Sequence, residues 1–104
     1  MSVKQNLIDT RALIADPACW TQKTSARDAR GKPIASTDPR AVCWCTAGAI
    51  HKVMGSSSFG STEWGLLQNV ADTLGVETPI HVNDDLGHAT TLRMFDLAIE
   101  AAPE

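Results

Sequence analysis

Long apolar runs are missing from the 104-residue chain, and cysteines are few. No run approaches the ~20 apolar residues of a membrane-spanning helix. Residues 1–20 lack the basic flank, apolar core and cleavage site of a secretory signal peptide. The three cysteines are Cys19, Cys43 and Cys45, and an odd number argues against a disulfide framework. We therefore expect a cytoplasmic protein in a reducing compartment, with no membrane segment.

Blocks of basic residues and the common catalytic motifs are missing as well. Nine Lys and Arg face twelve Asp and Glu, giving a formal net charge of −3. That balance disfavours nonspecific binding to nucleic acid or to an anionic membrane. The chain contains no Gly-rich phosphate loop, no nucleophile elbow and no HExxH zinc motif. We assign no catalytic residue, no metal ligand and no cofactor, and expect a protein that is not an enzyme.

The composition and periodicity predict one α+β domain, mostly helical, over residues 1–104. Hydrophobic residues make up 43 % of the chain and charged residues 20 %, an ordinary globular balance. About four helices are expected around a buried central helix, together with one small β-hairpin. The predicted helices cover 3–15, 38–54, 61–74 and 89–102, the hairpin 20–35, and a short extended piece 79–82.

The central helix is predicted from Asp38 because an N-cap Asp followed by Pro39 is a strong start signal. At about 100° per residue, Cys43 and Cys45 would point to different sides of this helix. Such a pair is poorly placed to grip one zinc ion, and its spacing is shorter than that of structural zinc sites. Core packing of both cysteines is therefore favoured over metal binding.

The opposite face of the predicted helix carries Arg40, Trp44, Gly48 and His51 at intervals of one turn. An aromatic plane between cationic groups is suited to stacking a ring and neutralising a phosphate. The favoured alternative is that Trp44 packs beneath the hairpin or the first helix, with Gly48 permitting a close backbone approach.

Nucleophilic catalysis by Cys45 would need a histidine beside it. His51, His81 and His88 are available, but their spacing assigns none of them to the cysteine. Asp84 and Asp85 are more typical of a solvated turn than of a carboxylate pair in catalysis. Arg27 and Asp28 predict a local ion pair and the start of a turn.

Several short segments together resemble the bacterial and phage family of unknown function DUF6197. They are Trp20-Thr21, Ala26-Arg27-Asp28-Ala29-x-Gly31-x-Pro33, Asp38-Pro39-x-Ala41-Val42-x-Trp44-Cys45-x-x-Gly48-Ala49 and Asn83-Asp84. The resemblance implies a cytosolic or phage-encoded protein without an established activity. Carried over by position, it points to Trp20, Arg27, Asp28, Trp44, Cys45, Gly48, Asn83 and Asp84. Cys43 lies outside the pattern, which weakens a two-cysteine metal site further.

We therefore expect a small noncatalytic binding protein that contacts a host protein or sequesters a small phosphorylated or nucleotide-like ligand. The predicted ligand-binding residues are Arg40, Trp44 and His51, with Arg27, Asn83 and Asp84 closing the site. One alternative is a hydrolase or transferase that uses Cys45 with a histidine. The other is a phage inhibitor of a bacterial defence complex, although a charge of −3 is small for mimicry of nucleic acid. Homo-oligomerisation stays open.

Overall fold

A computed structural model describes residues 2–103. Within them the chain forms a mostly helical α+β fold, as the sequence predicts, with a small antiparallel sheet. The elements are, in chain order, α1 (Val3–Leu13), β1 (Ala26–Arg27), β2 (Pro33–Ile34), β3 (Cys43–Trp44), α2 (Thr46–Met54), α3 (Thr62–Thr73), α4 (Pro79–His81) and α5 (His88–Ala101). A 3₁₀ turn spans Pro17–Cys19, and a π-helical segment spans Val82–Leu86 between α4 and α5.

Local capping signals set the beginnings of α1 and α3. The Ser2 hydroxyl accepts a hydrogen bond from the Gln5 N–H at 2.9 Å, and Ser61 accepts one from the Trp64 N–H at 3.1 Å. Each bond satisfies a backbone donor that a helix leaves unpaired in its first turn. Both predicted helix starts are confirmed.

The predicted hairpin is present but shorter than the predicted span 20–35: it pairs Ala26–Arg27 with Pro33–Ile34, and its turn is built by Asp28. The Gly31 N–H donates to the Asp28 carbonyl, while Asp28 Oδ1 accepts from the Arg30 and Lys32 N–H groups. The sheet order is β2-β1-β3, so β2 is an edge strand, as Pro33 predicts. The third strand, which pairs with the other side of β1, is missing from the prediction.

The prediction that the central helix begins at Asp38 is wrong. Asp38 accepts from the Arg40 and Ala41 N–H groups, but these bonds close only a turn. The chain then extends through β3, where Trp44 pairs with Ala26 and is 7 % exposed. Helix α2 begins at Thr46, after an N-cap at Cys45. Pairing with β1 and burial of the indole outweigh the local helix signal.

The prediction of an extended piece at 79–82 is also wrong, and Asp84 and Asp85 lie in a π-helical segment rather than in a turn. The Thr78 hydroxyl caps α4 by accepting from the His81 N–H at 3.2 Å, and Pro79 takes the first helical position. The helical path continues through the π-helical segment and buries Val82 and Asn83.

Helix α1 packs against α2, α3 and α5, and α3 packs against α5. The first five residues of α2 are all buried, in agreement with the prediction of a buried helix. At the end of α3 Leu74 is 37 % exposed, and α5 buries Met94 more fully than Leu92. The largest fully buried apolar side chains are Phe95, Leu7, Ile14, Ile50, Leu67, Met94 and Val82.

Candidate functional site

A buried asparagine side chain joins three distant parts of the chain at the start of α2. Asn83 is 1 % exposed, and its Oδ1 accepts from Trp20 Nε1 at 2.8 Å. The same oxygen accepts from the Thr46 N–H at 3.0 Å and from the Thr46 hydroxyl at 2.8 Å. Three donors on one amide oxygen fix the 3₁₀ turn, the helix and the π-helical segment relative to one another.

The other atoms of this segment hold residues 20–23 in place. Asn83 Nδ2 donates to the Thr21 carbonyl and to Asp84 Oδ1, both at 3.0 Å. Asp84 Oδ1 also accepts from the Lys23 N–H at 3.0 Å. The Gln22 amide donates to the carbonyls of residues 83 and 84 at 3.2 and 3.0 Å. Several hydrogen bonds therefore attach residues 20–23 to the π-helical segment.

Helix α2 meets residue Ser25 at a backbone-to-backbone contact. The Cys45 N–H donates to the Ser25 carbonyl at 3.1 Å. A methyl group at Gly48 would overlap that carbonyl oxygen and lie 2.8 Å from the carbonyl carbon. The prediction that Gly48 permits a close approach, with Trp44 in the core, is confirmed.

A cavity of about 190 Å³ opens beside this contact. Its floor is the start of α2, and its walls are the Lys23–Ser25 stretch and the π-helical segment. The lining side chains and backbone belong to Lys23, Thr24, Ser25, Cys45, Thr46, Ala47, Phe59, Ile80, Asn83 and Asp84.

A second cavity of about 100 Å³ lies next to the first and shares Ser25, Ala47 and Phe59 with it. It contains a pair of polar side chains, Ser36 Oγ and His51 Nδ1, at 2.7 Å. We call the two adjoining cavities the α2 groove. Its first cavity carries the charged groups, and its second carries a serine–histidine pair.

Phe59 stands between the two cavities and is 58 % exposed, the most exposed large apolar side chain of the described residues. Its ring meets the Trp64 ring edge-on, with centroids 5.0 Å apart and an interplanar angle of 69°. This arrangement is favourable for two aromatic rings, so Phe59 is supported although it is exposed. Ile80, at 41 % exposure, lies on the opposite wall.

Lys23 is the one non-glycine residue of the described chain with a positive φ, 70°. The left-handed region costs an L-residue about 1–2 kcal/mol, and the Asp84 contact with the Lys23 N–H helps to hold it there. Lys23 lines the first cavity and forms no ion pair with any residue between 2 and 103. Its ammonium is the available positive charge of the α2 groove.

Cys45 acts as the N-cap of α2, with its sulfur accepting from the Gly48 N–H at 3.4 Å. Burial raises the pKa of the Cys45 thiol, against the opposing effect of the helix N–H groups, and the Asp84 charge raises it further. Among the hydrogen bonds of residues 2–103, no histidine reaches this sulfur. The arrangement stabilises the neutral thiol rather than the nucleophilic thiolate.

The structure separates most of the six predicted ligand-binding residues. Asn83 and Asp84 line the first cavity, and His51 lines the second. Arg40 lies by the hairpin, where it binds Asp38. The predicted stripe of Arg40, Trp44, Gly48 and His51 is not formed because residues 40–45 are not helical.

The remaining two residues of the predicted site, Trp44 and Arg27, form hydrogen bonds within the protein. Trp44 donates from Nε1 to the Ser36 carbonyl at 2.8 Å within the core. Arg27 donates to Thr21 Oγ1 and to the carbonyls of Gln22 and Gly31. The expected Arg27–Asp28 ion pair is wrong because the guanidinium turns to these neutral oxygens. The assignment of the six residues to ligand binding stays a prediction.

The other histidines lie away from Cys45 and contact different partners. His81 Nε2 lies 3.2 Å from Asp85 Oδ2, and His88 Nε2 lies 2.7 Å from the Ile14 carbonyl. The His88 ring also packs on Trp20, with centroids 5.0 Å apart. No three His, Cys, Asp or Glu side chains within residues 2–103 are grouped so that they could hold a metal ion.

Sequence reasoning missed Phe59, Lys23 and the Ser36–His51 pair. Phe59 carries the clearest signal, since it is an aromatic residue in the Ser- and Gly-rich stretch 55–61, where no helix face can bury it. Lys23 and Ser36 carry no local signal because tertiary contacts place them at the groove.

Comparison with known proteins gives one match that spans nearly the whole chain. No helix of the described residues is long and apolar enough to cross a membrane. No curated protein and no solved structure matches the chain. The pattern of the family of unknown function DUF6197 matches residues 1–101, which include the Asn83 contacts and both cavities of the α2 groove. The chain belongs to the family of unknown function DUF6197.

Proposed function

We propose that this protein is a noncatalytic binding protein whose α2 groove takes a small ligand with an apolar body and one anionic group. The observation that carries the proposal is the composition of the first cavity. Two exposed apolar side chains, Phe59 and Ile80, line the cavity together with Lys23, whose ammonium forms no ion pair with any residue from 2 to 103. A cavity with apolar walls and a few placed polar groups is the usual form of a small-molecule site.

The apolar walls supply most of the expected affinity. Phe59 is 58 % exposed and Ile80 41 % exposed, so both keep apolar surface that a ligand would remove from water. Burial of apolar surface contributes about 25 cal/mol per Å². Phe59 is held against Trp64, so little side-chain entropy is lost when a ligand packs on it.

Lys23 and the start of α2 favour a negative group on the ligand. A helix N-terminus carries a partial positive charge, and the ammonium adds a full one. Asp84 lies on the wall formed by the π-helical segment, and its Oδ1 already accepts from two N–H groups, one of them the Lys23 backbone N–H. We therefore expect the anionic group at the Lys23 ammonium and the start of α2.

Size narrows the ligand class. The first cavity, about 190 Å³, is smaller than the roughly 300 Å³ at which sites for drug-sized ligands begin. A small carboxylic acid or phosphate monoester fits it better than a whole nucleotide. The second cavity extends the groove toward His51 and Ser36, which offer hydrogen bonds to the distal end of a longer ligand.

The cellular setting is part of the proposal. The three cysteines are free, which suits a reducing cytosol, and the family resemblance suits a phage-associated role. Contact with a host protein is retained as the alternative, and inhibition of a defence complex as one form of it. Chemistry at Cys45 has less support, because burial raises the pKa of its thiol and no histidine within residues 2–103 hydrogen-bonds to its sulfur.

A ligand panel tests the proposal on the full chain. Short aliphatic and aromatic carboxylates, phosphate monoesters and their uncharged amide or alcohol analogues are compared by thermal shift and by amide NMR shifts. We expect anionic members with an apolar body to shift residues 23–25 and 45–47, and uncharged analogues to bind about tenfold more weakly. Absence of shifts at these residues across the panel would overturn the proposal.

Matched variants separate ligand contacts from folding. Phe59→Ala and Lys23→Asn remove the apolar wall and the charge, and asparagine tolerates the positive φ. Leu74→Ala and Lys52→Asn remove an exposed apolar side chain and an exposed cation outside the groove. The first pair should weaken binding and the second should not. Equal effects of both pairs would contradict the assignment of the groove.

A further inference from the structure

A second concave surface shares no lining residue with the α2 groove. It forms between the turn Asp28–Lys32 and residues 39–42 and encloses about 680 Å³. We call it the hairpin groove. Its lining residues are Asp28, Ala29, Arg30, Lys32, Ile34, Pro39, Arg40 and Val42.

The floor of the hairpin groove is apolar. Val42 is 45 % exposed although it directly precedes a strand that carries the buried Trp44. Ile34 is half-buried and packs on the core from the edge strand β2, and Pro39 is exposed. Exposed apolar side chains at the centre of a concave surface are typical of sites that receive another protein.

The rim carries cations that are not neutralised within the described residues. Arg30 and Lys32 are exposed and form no ion pair with any residue from 2 to 103. Asp28 also lines the groove, and its Oδ1 accepts from the backbone N–H groups of Arg30 and Lys32. Arg40 is different because its guanidinium binds Asp38 at 2.9 and 3.1 Å. Two unpaired cations therefore border an exposed apolar floor on a chain whose net charge is −3.

We propose that the hairpin groove docks an extended segment of a partner protein that carries an apolar side chain between two carboxylates. The apolar side chain would cover Val42, and the carboxylates would meet Arg30 and Lys32. Complementary charge on the rim and an apolar centre are the usual division of roles in a protein interface. Nucleic acid suits the hairpin groove less well. A protein surface that binds the phosphate backbone needs a longer row of cations and no apolar floor.

The test uses blocked pentapeptides and the isotope-labelled full chain. One peptide has leucine between two glutamates, a second has glutamines in place of the glutamates, and a third has alanine in place of leucine. We expect the first to shift the amide signals of residues 28–34 and 39–42, and each of the others to bind several-fold more weakly. Raising salt from about 50 mM to about 300 mM should also weaken binding several-fold, because exposed charges are screened.

Charge reversal gives the sharper comparison. The double variant Arg30→Glu/Lys32→Glu should lower affinity for the first peptide about tenfold. It should keep the fold, because Asp28 holds the turn through backbone N–H groups rather than through these side chains. Lys52→Glu, an exposed cation on α2, is the matched control and should change affinity less than about twofold.

Three outcomes would overturn the proposal. They are peptide shifts that fall outside the hairpin groove, affinity that is unchanged by the double charge reversal, and shifts caused by a single-stranded oligonucleotide but not by the peptide. Self-association through the same residues, seen as concentration-dependent shifts without peptide, would instead assign the surface to a second copy of the chain. The α2 groove variants should leave peptide binding unchanged, so the two proposals fail separately.

Discussion

Substitution of Gly48 by alanine tests whether the contact between α2 and Ser25 is as close as the structure shows. The added methyl group would overlap the Ser25 carbonyl oxygen and lie 2.8 Å from its carbonyl carbon. Favourable carbon–carbon contacts begin near ~3.5 Å. The obstacle is backbone rather than a flexible side chain, so α2 or the backbone at Ser25, just before β1, has to move.

The expected cost follows from the groups involved. Overpacking of this kind costs about 1–3 kcal/mol, and separating the two backbones removes the Cys45 N–H bond to Ser25, for about 1 kcal/mol. Alanine returns about 1 kcal/mol through its higher helix propensity. We expect Gly48→Ala to lower the free energy of unfolding by about 3 kcal/mol. This is the upper end of the range for overpacking, because the added methyl group meets backbone that cannot rotate away. A domain of this size then melts roughly 10–20 °C lower.

The matched control is Gly65→Ala in α3. A methyl group there meets no atom within 4 Å, so only the propensity gain applies. That variant should be more stable by about 1 kcal/mol and melt several degrees higher. Thermal unfolding followed by circular dichroism measures both variants. Equal changes in melting temperature for Gly48→Ala and Gly65→Ala would refute the close approach of α2 to Ser25. A Gly48→Ala melting temperature within about 2 °C of wild type would refute it as well.

Three further predictions follow from single side chains. Asn83→Ala should lower the free energy of unfolding in urea by at least about 3 kcal/mol, since it leaves several buried donors unpaired. The exposed Asn69→Ala should leave that free energy nearly unchanged, and similar losses for both variants would contradict the role of Asn83. In native protein at about pH 8, iodoacetamide should modify Cys45 more slowly than in unfolded chain, because burial raises its pKa; equal rates would argue for a reactive thiol. Hydrogen bonds from Arg40 lower the pKa of Asp38 to about 2, so its stabilising effect should be full above about pH 4 and fade as pH falls toward 2. If the difference in unfolding free energy between wild type and Asp38→Asn stays constant from about pH 4 to about pH 2, the lowered pKa of Asp38 does not contribute to stability.

The same sequence signal gave opposite outcomes at two places. Asp38-Pro39 has the form of a helix start, and its carboxylate does accept from the Arg40 N–H, yet no helix follows. Thr78-Pro79 has the same form and does begin a helix. The difference lies in what comes next. Trp44 gains burial by pairing with β1, whereas Val82 and Asn83 gain it by continuing a helical path.

The candidate site was predicted less well than the fold. The helical stripe placed Trp44 on an outer face, but strand pairing turns it into the core. Asn83 bonds to protein donors and acceptors that no local pattern indicates, and its expected contact with a ligand stays a prediction. Phe59 and Lys23 were absent from the prediction. Their place at the groove depends on residues more than twenty positions away in the sequence.

The amino-acid sequence alone was sufficient for the features that depend on neighbours along the chain. The Ser2 and Ser61 caps and the Asp28 turn involve hydrogen bonds within a few residues, where local geometry is decisive. The tertiary structure decided where α2 begins and that a groove exists. Asn83 Oδ1 accepts hydrogen bonds from Trp20 and Thr46, which precede it in the sequence by 63 and 37 positions. No local sequence pattern predicts such long-range contacts. Long-range burial and hydrogen bonding outweigh local propensity there, because an unpaired buried donor costs more than a helix signal contributes.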